Sequence, residues 1–118
     1  MARRRYRWGV IRRFPCPWLD GEVELTQERE RHIEEAHSEL LPAHRDKIAE
    51  VLADPDVIRQ DGQASPERLF SRWYTDLGRG RHVVVVVVSQ VSDPVRHWIV
   101  TAYMALRLAR GEIEWRRG

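Results

Sequence analysis

The chain reads as an α+β domain in which two N-terminal helices pack on one face of a roughly four-stranded antiparallel meander. Three observations predict it. Apolar residues recur at helical spacing between Ile33 and Leu52, residues 67 to 76 alternate with a period of two, and Val83 to Val88 form an unbroken β-branched run. With 118 residues and a mass of 14.0 kDa, the chain suits one hydrophobic core. Residues 1–18 are read as a basic N-terminal arm and residues 19–118 as the single domain.

Taken in order, residues 6 to 13 and 21 to 25 are short strands or extended arms, separated by Pro15-Cys16-Pro17, which interrupts any ladder. The period changes at Thr26, a natural N-cap, with Glu28 in the first turn. Ile33, Ala36, His37 and Leu40 then share a helical face, and Pro42 ends that helix and opens the next. Ile48, Val51 and Leu52 form the second helix's apolar stripe, and Asp54-Pro55-Asp56 stops it.

Strands follow Val57. Gln60-Asp61-Gly62 and Ala64-Ser65-Pro66 are turn material. In the next strand Leu69, Ser71, Trp73 and Thr75 fall on one face and Phe70, Arg72 and Tyr74 on the other. Gly78-Arg79-Gly80 supplies a hairpin turn into the valine run, which must be a central strand, because such an edge left exposed would template aggregation. After Ser92-Asp93-Pro94, simple alternation puts His97, Ile99, Thr101 and Tyr103 on one face and Trp98, Val100 and Ala102 on the other. Residues 104 to 110 continue that strand or form a helical turn, and Glu112 to Trp115, after Gly111, read as a last short strand.

Net charge is +2, but it is segregated: residues 1–18 carry +6, residues 19–58 carry −8 and residues 59–118 carry +4. The basic arm and basic C-terminal half suit a nucleic-acid partner, with the acidic helical segment facing elsewhere. The one cysteine, Cys16, can form neither an intramolecular disulfide nor a Cys-type zinc site. No apolar run approaches the ~20 residues of a membrane helix and no signal sequence is evident, so the expectation is a cytoplasmic protein without a membrane partner.

Cleaving RNA without metal requires a base for the 2′-hydroxyl, an acid for the leaving oxygen and fixed positive charge near the phosphate. His37 lies on the buried side of its helix, and Arg72 sits on an alternating strand between two aromatics. Thr101 and Tyr103 offer hydroxyls, with His97 on their face by parity. The ordinary roles are a boundary histidine, an arginine stacked on Phe70 or Tyr74 or paired with a carboxylate, and plain strand residues. His32 points about 140° from His37 around the helix, at ~100° per residue, so the two do not chelate a metal together. No other ligand cluster appears.

Five phrases in this order carry a family likeness: His32-Ile33 with His37-Ser38-Glu39-Leu40, then Leu52 to Ile58 with Pro55-Asp56, then Arg72-Trp73-Tyr74, Val83 to Val88 and Thr101-Ala102-Tyr103. Together with Gly111 to Trp115 they resemble the phage and mobile-element branch of the barnase/EndoU/colicin/RelE-like (BECR-fold) ribonuclease superfamily. Ser38 stands where that family often carries proline. The resemblance covers about residues 20 to 116 and implies a RelE-like sheet and a cofactor-free, metal-independent endoribonuclease. Its catalytic positions would be His37, Arg72 and Thr101, supported by His32 and Tyr103, with Tyr74 and His97 binding substrate.

The implied partner is RNA, whether single-stranded, ribosome-associated mRNA or tRNA. A toxin-type nuclease, of which a BrnT-like toxin is a neighbouring case, would add a protein antitoxin, and a homodimer is compatible. The alternatives are a non-catalytic RNA- or protein-binding module on the same fold and an accessory protein whose exposed sheet face takes up a partner.

Overall fold

The computed structural model describes residues 9–60, 66–108 and 112–118. Strand β1 (Val10–Cys16) turns through a single 3-10 helix at Pro17–Leu19 into β2 (Gly21–Thr26). Helices α1 (Gln27–Ala36) and α2 (Arg45–Ala53) follow. The remaining strands are β3 (Val57–Gln60), β4 (Glu67–Tyr74), β5 (Arg81–Gln90), β6 (Arg96–Ala105) and β7 (Glu112–Arg116). The Arg-rich residues 3–7, the turn expected around residues 61–65 and Gly111 lie outside the described residues.

The expectation of two N-terminal helices on a four-stranded antiparallel meander is corrected. Among the described residues seven strands form one mixed sheet in the order β1-β2-β6-β5-β4-β3-β7, and two of them precede the helices. Residues 10–16, read as part of an arm, are an integral strand. Their discounting feature, Pro15, is tolerated because β1 is an edge strand, with β2 its one strand partner among the described residues. The mixed character comes from β2 and β6, which run parallel at Glu24 and Trp98; the other pairings are antiparallel.

The first helix starts where its N-cap predicts: the Thr26 hydroxyl accepts from the Arg29 backbone N–H at 3.1 Å. It stops earlier than expected, at Ala36, with His37 as C-cap; Leu40 and Leu41 reach the core from the following turns instead. Both helices and the 3-10 helix cover one face of the sheet. There Ile33, Leu40, Leu41, Ile48, Val51 and Leu52 pack on Val23, Leu25, Phe70, Val83, Val85, Val87 and Ile99. A second, smaller cluster lies on the other face, where Leu69, Val84 and Val86 meet Val100, Tyr103 and Leu108. The valine strand β5 is therefore central and buried on both faces, as its composition demands.

Candidate functional site

Sheet register decides which candidate residues share a face. Ser71, Val84 and Tyr103 form one cross-strand row, and Leu69, Val86 and Thr101 another; both belong to the second face. Arg72 pairs with Val83, which pairs with Met104, on the helix-covered face. Arg72 is therefore on the opposite side of the sheet from Thr101 and Tyr103, and a site that needs all three does not assemble.

His97 is displaced by a different cause. Val86 pairs with Thr101 but Val87 with Ile99, leaving Val100 as the extra residue of a β-bulge. The bulge reverses the alternation, so His97 and Ile99 face the helices while Thr101 and Tyr103 face away. The expected common face for His97, Thr101 and Tyr103 is corrected accordingly. Buried His97 instead meets its cross-strand partner, Ser89 Oγ to His97 Nδ1 at 2.6 Å. Burial, then the nearby Arg68, holds its pKa below the ordinary imidazole value, with Glu24 opposing.

On the helix side the candidate residues are engaged in structural bonds. Arg72 donates to the Asp54 carbonyl at 3.1 Å and to its carboxylate at 3.2 Å, closing the C-terminus of α2. Arg117 joins the same Asp54 carboxylate and also binds Asp56 at 3.3 Å. Tyr74, expected to bind substrate, donates its hydroxyl to Glu50 at 2.7 Å beneath the Lys47 ammonium. Burial and that carboxylate push the Tyr74 phenol pKa well up.

On the second face, His37 reaches Tyr103. β2 pairs with β6 at Glu24 and Trp98, and α1 lies against β6, with Arg29 donating to the Val100 carbonyl at 3.5 Å. From the end of that helix the His37 ring lies 5.7 Å from the Tyr103 ring, and its Nδ1 is 3.6 Å from Glu39. Thr101 Oγ1, two residues before Tyr103, is buried without a hydrogen-bond partner. His32 is exposed and lines a shallow groove of about 420 Å³ with Gly9, Gln27, Glu28, Arg31 and Glu35, apart from this group.

The same face holds two residues that sequence reasoning left without a role. His82 pairs with Trp73 and with Ala105, placing it diagonally next to Tyr103 on the same surface. Its ring meets Trp73 edge-on at 4.8 Å, and the indole is 41% exposed. Burial, then the positive field of Arg59, lowers the His82 pKa, with Asp56 opposing, so the ring is neutral at pH 7. The alternation of the valine strand carried that signal: His82 shares the parity of Val84 and Val86. Trp73, His82, Tyr103 and His37 thus form a strip of rings across β4, β5, β6 and the end of α1.

Among the described residues, no group of three or more His, Cys, Asp or Glu side chains is placed to hold a metal ion. No helix among them is long and apolar enough to cross a membrane. No protein-family model, curated protein or solved structure matches this chain.

Proposed function

We propose that the protein binds single-stranded RNA on the second face of its sheet, with bases stacking along the strip formed by Trp73, His82, Tyr103 and His37. One observation carries this reading: two ring pairs, Trp73–His82 and His37–Tyr103, lie on the same face across three adjacent strands. Each stacked base contributes about 1–3 kcal/mol in such sites, independently of sequence. The four arginines of residues 3–7 and the exposed Arg79 and Arg107 add phosphate attraction.

The test is fluorescence anisotropy with a labelled twelve-nucleotide RNA. Trp73→Ala and Tyr103→Ala should each weaken binding about tenfold or more, while Arg72→Ala should not. Affinity should also fall steeply with salt. Unchanged affinity in both aromatic variants would remove the strip from RNA binding.

A second reading, metal-independent RNA cleavage, is supported by the two imidazoles on that face. In it, His82 as general base takes the 2′-hydroxyl proton, and His37 as general acid supplies one to the departing 5′-oxygen. The 2′-oxygen attacks phosphorus as the P–O5′ bond breaks, leaving a 2′,3′-cyclic phosphate. This version keeps His37 and Tyr103 in the site and gives up Arg72. Incubation with labelled RNA in EDTA, beside His37→Ala and His82→Ala, tests it. Cyclic-phosphate ends that disappear in both variants are expected; intact RNA with a strip that still binds leaves the binding module alone.

A further inference from the structure

A groove of about 540 Å³ runs between the edge strand β1 and helix α2, lined by Ile11, Arg12, Arg13, Phe14, Arg45, Asp46 and Ala49. It shares no residue with the ring strip. Three arginines face one carboxylate in that lining. Arg12 and Arg45 both anchor their Nε on Glu30, at 2.9 and 3.1 Å, so their positions are fixed while their side chains stay 39% and 32% exposed. Arg13 is exposed, and Ile11 exposes 43% of its surface at the rim. The lining therefore presents cationic side chains of fixed position beside an exposed branched aliphatic.

We propose that this groove binds an acidic peptide segment of a partner protein. An apolar side chain of that segment seats against Ile11 and Ala49, and flanking carboxylates meet Arg13 and Arg45. Among the described residues the lining is aliphatic, with Phe14 buried and no exposed ring on which a base could stack, which favours a peptide over a nucleic acid. Recognition is by side chains rather than by an added strand. The ladder edge of β1 is broken by the bulge at Ile11 and by Pro15, which has no N–H to donate.

The test is to pan a random dodecapeptide display library on the immobilised full chain and to measure the enriched peptides by anisotropy. Enrichment of Asp and Glu beside Leu, Ile or Phe is expected. Ile11→Ser and Arg13→Glu, both at exposed positions, should each weaken those peptides at least about tenfold. Arg116→Glu, an exposed control on the edge strand opposite β1, should leave them unchanged, and the RNA affinity of Ile11→Ser should stay that of the parent chain. Three results would overturn the proposal: no acidic–apolar enrichment, equal loss in Arg116→Glu, or peptide affinity indifferent to both groove variants. RNA binding that depends on Ile11 and Arg13 would assign the groove to nucleic acid instead.

Discussion

The two faces of the sheet treat their polar residues in opposite ways. On the helix-covered face three polar side chains each have a carboxylate within bonding distance: Arg72 has Asp54, Arg68 has Glu114 at 2.8 Å, and the Tyr74 hydroxyl donates to Glu50. On the second face the ring pairs Trp73–His82 and His37–Tyr103 lie beside a small apolar cluster, and Trp73 remains substantially exposed. The comparison teaches that residue type alone does not mark a site. An arginine placed beside the C-terminus of a helix, with an aspartate there to meet it, is a fastener; a tryptophan left in solvent one residue further along the same strand is a surface.

The largest effect separates the faces most cleanly. Phe70→Ala on the helix side empties a fully buried site and should cost about 3–5 kcal/mol in denaturant unfolding. Trp73→Ala, three residues along the same strand, should cost well under half of that while removing most RNA affinity. Equal losses of stability would make the second face ordinary core and dissolve the distinction.

A backbone change tests how the strip is held. Gly80 has φ +104, and a Cβ there would come within 2.4 Å of Trp73 Cζ2. Gly80→Ala should therefore cost about 2–3 kcal/mol and move the indole, lowering RNA affinity together with the melting temperature. Loss of stability with unchanged RNA affinity would show that the indole's position does not matter for binding.

Smaller effects are expected where carboxylates tie cations together. Glu30→Gln weakens the joint between β1, α1 and α2 and should cost about 1–2 kcal/mol, because both arginines on it are partly solvated. Arg72→Ala should cost under about 1 kcal/mol, since its pair with Asp54 is exposed, and should leave RNA affinity intact. A large loss of RNA affinity in Arg72→Ala with normal folding would return that residue to the functional site.

Much of this contrast was legible before any coordinates, but unevenly. Thr26 marked the helix start, the valine run marked the central strand, and alternation correctly separated Trp73 from Arg72. The strand count was not legible, because β1 and β2 are short, charged and interrupted by Pro15, and they gain their place only by joining the sheet edge at Glu24 and Trp98. Nor was the fate of His97, since nothing in Ile99-Val100-Thr101 announces a bulge, yet that one inserted residue moves the histidine to the opposite face. Arg72 failed as a candidate for a reason outside its strand: its partner is at the end of α2, 18 residues earlier. His82 is readable from parity with Val84 and Val86, although it stands at the start of its strand.

The finest test uses protons, since each face holds one histidine with a lowered pKa, His82 on the ring strip and His97 beside Ser89. Both are neutral in the fold above their ordinary value near 6.5. As pH falls below that value the unfolded chain takes up protons that the folded chain resists, so stability is complete above about pH 6.5 and declines with acidification through the folded values. His97→Gln and His82→Gln should each flatten that decline. RNA affinity should move the other way, because a phosphate beside His82 favours the protonated ring, and binding should tighten as pH drops. Only His82→Gln should abolish that tightening. If His97→Gln abolishes it as well, the RNA path crosses both faces, and the separation between a fastened side and a binding side fails.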